Sequence, residues 1–151
     1  TVFELACCLQ PLKHLTVITP AAKVTLELSN RRNVEVLQLG GIVRQNSSSV
    51  AGSYAESILE DISCGILFLG VDGIDLDFGF SITNLAEASL NQKMIECAQV
   101  VAVLADSTKF RRRGLGKVCN FHQVQYIITD DKVHPGVVKI VEERGIKVII
   151  A

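Results

Sequence analysis

Two runs near the middle of the chain, Cys64–Leu69 and Val100–Ala105, pass without a polar interruption. A strand with one face in water alternates apolar and polar side chains, so unbroken runs of strand length are covered on both faces. Shorter β-branched runs, Leu15-Thr-Val-Ile-Thr19, Tyr126-Ile-Ile-Thr129 and Lys147-Val-Ile-Ile150, have the same character. Segments with helical signatures separate them. This succession predicts an α/β domain: a three-layer, largely parallel sheet with helices on both faces.

The helical segments are marked by their ends. Residues 2–10 read as a helix stopped by Pro11. Pro20 suits the first turn of a helix reaching about Ser29, with Asn30 as its stop. Val34–Leu39 is a strand leading into Gly40-Gly41, and Arg44–Ser49 reads as a polar loop before a helix from about Ser53 to Asp61. A longer helix spans Asn84–Ala98, with Leu90, Met94, Cys97 and Ala98 on one face. Pro135–Arg144 is a short helix ended by Gly145.

Composition narrows the function classes. The 151 residues suit one domain with a proper core, and 48% apolar with 21% charged residues describes an ordinary globular chain. A formal net charge of −1 offers no nucleic-acid surface. No apolar run approaches the roughly 20 residues that span a bilayer, so no membrane partner is expected. The five cysteines, Cys7, Cys8, Cys64, Cys97 and Cys119, include no Cys-x-x-Cys pair. They read as buried thiols in a reducing cytoplasm, without disulfide or metal. No Gly-x-Ser-x-Gly elbow, Gly-x-Gly-x-x-Gly turn or Gly-Lys-Ser/Thr loop is present, which disfavours triad hydrolases, dinucleotide oxidoreductases and P-loop NTPases.

Polar clusters follow the apolar runs. In Gly70-Val-Asp-Gly-Ile-Asp75, Asp72 and Asp75 emerge at a strand's C-terminal end, suited to sugar hydroxyls or acid–base work, while Gly70 and Gly73 permit positive φ and a close ligand. The same residues also make an ordinary tight turn. Thr83 precedes Asn84, which with Glu87 forms a capping-box-like helix start whose free amides suit a phosphate; Glu87 itself would accept a hydroxyl or complete the cap. In Asp106-Ser-Thr-Lys109, Lys109 either neutralises a phosphate or pairs with Asp106. Arg111-Arg112-Arg113 is a weaker anion or subunit-contact candidate, and Gly40-Gly41 with Arg44 is a third anion corner.

Taken in order, Leu39-Gly-Gly41, Arg44, Phe68–Asp75, Thr83–Ala88 and Leu104–Phe110 resemble the C-terminal effector-sensing domain of the DeoR family of bacterial transcriptional regulators. The resemblance covers nearly the whole chain. It implies the fold shared by ribose-5-phosphate isomerase, glucosamine-6-phosphate deaminase and the CoA transferases. It further implies a phosphorylated sugar or related metabolite as effector, no cofactor, a homo-oligomer, and operator DNA contacted through an N-terminal winged helix-turn-helix. On this reading the chain is a single sensing domain, residues 1–151, beginning inside the family's phosphate-gripping Asp-x-Gly-Thr-Thr-like loop, with Thr1 as its remnant and the DNA-binding part absent. The implied ligand residues are Gly40, Gly41, Arg44, Asp72, Gly73, Asp75, Thr83, Asn84, Glu87 and Lys109, with none catalytic. The register of Ala88-Ser-Leu-Asn-Gln-Lys93 puts Gln92 where the isomerases carry their glutamate base, and Ser81-Ile82-Thr83 stands in for their glycine-rich loop. The alternative is a phosphosugar isomerase or deaminase using Glu87 or Asp72 as base.

Overall fold

The computed structural model describes residues 1–151. Its contacts divide into two compact units, Thr1–Asp61 and Ile62–Ala151.

In the first unit, helix α1 (Val2–Cys8) is followed by strand β1 (Leu15–Thr19), helix α2 (Ala22–Leu28) and strand β2 (Val34–Gln38). β1 and β2 pair in parallel from Leu15↔Val34 to Thr19↔Gln38. Ala6 of α1 and Val24 and Leu28 of α2 form a buried cluster on which Val17, Val34 and Val36 of the strands pack. Arg31 closes the end of α1: its guanidinium donates to the carbonyls of Leu9 at 2.7 Å and Cys7 at 2.8 Å and pairs with Glu27. Carbonyls in the last turn of a helix have no intrahelical partner, so this fork supplies one.

Two sequence expectations need correction in this unit. Pro20 lies outside α2, because residues 20–22 bond to a neighbouring strand: Val50 N–H donates to Pro20 O, and Ala22 N–H to Ser48 O. The polar stretch 44–49 is the tip of a hairpin, with strands β3 (Ile42–Arg44) and β4 (Ser49–Ala51) paired antiparallel. Helix α3 (Ser53–Ile58) and a 3₁₀ turn over Leu59–Asp61 close the unit.

The second unit is built on a four-stranded parallel sheet flanked by helices. Strand β5 (Cys64–Gly70) leads into an antiparallel hairpin of β6 (Gly73–Asp75) and β7 (Gly79–Ile82). Helix α4 (Leu85–Cys97) returns the chain to strand β8 (Ala98–Leu104). Strand β9 (Gly116–Cys119) joins the hairpin beside β7. Strand β10 (Tyr126–Thr129), helix α5 (Pro135–Glu143) and strand β11 (Lys147–Ile150) complete the chain. The parallel sheet has the order β11-β10-β8-β5, so successive strands are added at one side, and α4 and α5 pack on one face of it. On that face Leu69, Val101, Val103 and Ile127 share one core with Ala88 and Ile95 of α4, Val137 and Val141 of α5, and Phe80 and Val118 of the small sheet. Val101 to Leu104 of the central strand are all buried, as an unalternating run requires.

The short strands β6, β7 and β9 are absent from the sequence reading, which took a parallel sheet as the dominant feature. In α4 the buried residues are Ala88, Leu90, Asn91 and Ile95, with Met94 half-buried. Asn91 faces inward where the expected face had only apolar members, and Ala98 already belongs to β8. All five cysteines are free thiols; only Cys119 is buried, Cys8 is exposed, and Cys7, Cys64 and Cys97 are half-buried. Burial pushes the Cys119 thiol up to about 12.

Candidate functional site

The register of the parallel sheet aligns Gly70 with Leu104 and Leu104 with Ile128. Two residues beyond each lies an aspartate, giving a row of Asp72, Asp106 and Asp130 at the sheet's carboxyl edge. Loops outside the carboxyl ends of parallel strands are where α/β proteins collect ligand-binding groups. Each carboxylate orders its own loop. Asp72 Oδ2 accepts from the backbone N–H and the hydroxyl of Thr83, both at 2.8 Å. Asp106 accepts from Thr108 N–H at 2.9 Å and from the Thr108 hydroxyl. Asp130 accepts from Ser107 N–H at 2.7 Å and Lys132 N–H at 2.9 Å. The Thr108 hydroxyl holds the Asp106 carboxyl below its ordinary range, and the Ser107 amide does the same for Asp130. Asp130 is the member that sequence reasoning missed. Its signal was available, because each apolar run is followed at the same distance by aspartate.

The Asp72–Thr83 bond joins the open end of the β6–β7 hairpin, where Gly73 faces Ser81. Thr83 is followed by Asn84, whose Oδ1 accepts the Glu87 N–H at 3.0 Å and so caps α4. Asp72, Thr83, Asn84 and Glu87 therefore form one locality at a helix start. Gly73 is adjacent, but for a different reason than expected. Its φ is not positive; a Cβ there would stand 2.5 Å from the Arg112 carbonyl oxygen, so the neighbour that needs the space is the chain itself. Ser81, fully buried, ties the layers together: its hydroxyl donates to Gly73 O at 3.3 Å and accepts from Gly114 N–H at 2.8 Å.

Asp75 points to the opposite end of the hairpin. Its carboxylate meets Arg113 Nε at 2.8 Å and accepts from Phe78 N–H at 2.8 Å and Asp77 N–H at 3.0 Å. The Arg113 bond, then the Phe78 amide, hold its pKa down to about 2. Asp75 is thus committed to the hairpin turn. Lys109 sits in the 3₁₀ turn that follows Asp106 and makes no ion pair with it; its charge adds a smaller stabilisation of the Asp106 carboxylate. Gln92, on α4, donates its amide to the Lys117 carbonyl at 2.7 Å.

Gly40, Gly41 and Arg44 belong to the first unit. Gly41 takes φ 141° at the entry to the β3–β4 hairpin, and Arg44 ends β3 opposite Ser49. An open cleft of about 430 Å³ lies at the turn end of the β6–β7 hairpin, lined by Leu76, Asp77, Gly79, Asn120, Phe121, His122 and Arg144. No residue singled out from the sequence as a ligand contact lines it. Arg144 lies over the Phe121 ring, 4.6 Å from its centroid, and donates to the Leu76 carbonyl. The cleft's most favourable cation is thereby engaged, and the carboxyl-edge loops carry the richer chemistry.

The profile described as DeoR C terminal sensor domain matches residues 1–131. Among curated relatives, an uncharacterized HTH-type transcriptional regulator of Bacillus subtilis is 37% identical over 89% of this chain and 52% of its own length. The putative aga operon transcriptional repressor of Escherichia coli O157:H7 is 35% identical over 99% of this chain and 56% of its own. The transcriptional repressor AccR of Agrobacterium fabrum is 28% identical over 100% and 58%. The chain spans just over half the length of these relatives.

Proposed function

From a chain that belongs to the DeoR C-terminal sensor domain family, we propose a module that binds a phosphorylated sugar or related metabolite and thereby controls operator binding by a helix-turn-helix elsewhere in the protein. The observation that carries this reading is the Asp72–Thr83 tie at the start of α4. It leaves a carboxylate already ordered for sugar hydroxyls beside a helix N-terminus, whose amides and dipole favour a phosphate. Asn84, Glu87 and Lys109 complete the site, with Gly73 as its backbone floor. Preordering matters because a ligand regulates only through a difference in affinity between two states. Moving such an equilibrium from 1:99 to 99:1 takes about 5.5 kcal/mol of differential affinity. A homo-oligomer fits this role, since paired winged helices read paired half-sites.

The curated relatives are transcriptional regulators by name, and we extend that to an absence of turnover here. Gln92 supports the extension: its amide acts as a donor to Lys117 O and cannot take a proton from a sugar carbon at neutral pH. Incubation with ribose 5-phosphate or glucosamine 6-phosphate tests this directly. Turnover that disappears in Glu87→Gln would make the protein an enzyme.

No helix is long and apolar enough to cross a membrane. The primary test is a thermal-shift screen of sugar phosphates against their unphosphorylated parents, followed by operator release in the presence of any compound that stabilises. Selective stabilisation by one phosphosugar, with release of DNA at the same concentration, is the expected result. Stabilisation by no phosphorylated compound would end the phosphosugar reading.

A further inference from the structure

The run Arg111-Arg112-Arg113 is a single charge block in sequence, and the fold divides it. Arg113 is committed to Asp75, with its guanidinium 5.5 Å from the centroid of the Phe78 ring. Arg111 and Arg112 are exposed and form no hydrogen bond or ion pair through their side chains. Lys109, half-buried in the preceding turn, forms none either.

Unpaired surface arginines commonly ride on loops free to move, but this backbone is pinned. Arg111 N–H donates to Ile74 O at 2.8 Å, and Phe110 bridges Ile74. The Arg112 carbonyl packs on Gly73, and Gly114 N–H donates to Ser81 Oγ at 2.8 Å. Arg111 is held at φ 60°, a left-handed conformation that a non-glycine residue adopts at a cost. A Cβ on Gly114 would come within 2.6 Å of Ile82, the residue before Thr83. The segment thus crosses the hairpin at its Gly73–Ile82 end, where Asp72 holds Thr83 and α4 begins.

We propose that Arg111 and Arg112, together with Lys109, form the anion clamp of this site and take the phosphoryl group of the effector. The inference rests on the ligand-sensing reading and deepens it by assigning the phosphate to particular cations. A phosphate monoester carries about −1.5 to −2 charge near neutral pH, more than one lysine offsets. Guanidinium forks match its oxygens with paired N–H donors. Asp72 and Glu87 take the sugar hydroxyls, and the phosphate lies between the arginines and the first amides of α4, where the helix dipole adds to the guanidinium charge.

The test is titration of the full-length protein with inorganic phosphate by calorimetry, comparing the unaltered protein, the double variant Arg111→Ala/Arg112→Ala, and Arg113→Ala. The double variant is expected to lose at least tenfold in phosphate affinity while its ligand-free melting temperature stays unchanged, since neither side chain has a partner to lose. Arg113→Ala is expected to melt lower, because it breaks the Asp75 pair. Equal phosphate affinity in the double variant overturns the clamp, and so does an unaltered protein that binds no phosphate. Phosphate binding that depends on Arg111 and Arg112, in a protein whose operator affinity no phosphorylated sugar changes, supports the clamp and overturns the sensing reading instead.

Discussion

Two glycine corners, alike in sequence, have become different structures. Gly40-Gly41 follows β2 and opens the β3–β4 hairpin; Gly70 ends β5 and Gly73 opens the β6–β7 hairpin. The first hairpin leaves Ile42 81% and Val43 57% exposed, and its Ser47 and Ser49 hydroxyls bond to each other. The second buries Gly73, Ile74, Phe80 and Ser81, gains β9 as a third strand, and is clamped by Asp72, Asp75 and Ser81. A glycine after a strand announces a change of direction in either case. What distinguishes a prospective site is a set of polar side chains ordered before any ligand arrives.

The largest contrast is steric. Gly79 has φ 95°, and a Cβ on it would overlap the Cys119 carbonyl oxygen. Gly79→Ala is expected to cost at least about 3 kcal/mol, combining backbone strain with overpacking. Gly41 has φ 141°, and a Cβ on it would meet Val50 Cβ at an ordinary 3.5 Å, so Gly41→Ala should cost about 1–2 kcal/mol. Urea unfolding of both variants measures the difference, and equal losses would erase it.

Hydrogen bonding provides the next contrast. Asp72→Ala removes the acceptor for two Thr83 donors and should destabilise by about 1–2 kcal/mol while abolishing effector binding. Ser49→Ala in the first hairpin should stay within about 0.5 kcal/mol. Full ligand affinity in Asp72→Ala would remove the second corner from the site.

Acid sensitivity separates the corners further. Asp75 titrates at about 2 in the folded protein, against about 3.9 in an unfolded chain. Its depressed pKa means that its stabilising contribution is complete above about pH 4 and is lost as pH falls toward 2. Asp75→Asn should therefore flatten the stability profile in that window and leave its shape at neutral pH unchanged. A melting series from pH 2 to 6 gives the answer, and an identical acid limb in the variant would show that Arg113 does not hold this carboxylate. The smallest effect concerns the ligand: Lys109→Ala should weaken a phosphorylated compound a few-fold more than its free sugar. Equal losses for both compounds in Lys109→Ala would take that residue off the phosphate.

The parallel strands were legible because Val101–Leu104 had to be covered on both faces, and no amphipathic alternative fits that run. The Asn84 cap was legible because side-chain capping is local chemistry, settled within a few residues. The strands β6, β7 and β9 were not, since Gly73–Asp75, Gly79–Ile82 and Gly116–Cys119 are short and owe their pairing to one another across tens of residues. Arg113 illustrates the same limit at the level of charge. Its sequence neighbours are equally basic, and only the arrival of Asp75 from the hairpin selects one of three arginines for pairing.

The glycine seam of the hairpin has one further consequence. At Gly73, Gly79 and Gly114 an added carbon would strike main-chain atoms of Arg112, Cys119 and Ile82, and main chain cannot be trimmed by mutation. Those positions admit no larger side chain, while Lys109, Arg111 and Arg112 carry exposed or half-exposed side chains with no hydrogen bond or ion pair to lose. The architecture thereby separates inheritance from innovation: a lineage can change the chemistry of this loop surface, one side chain at a time, on a backbone that cannot wander.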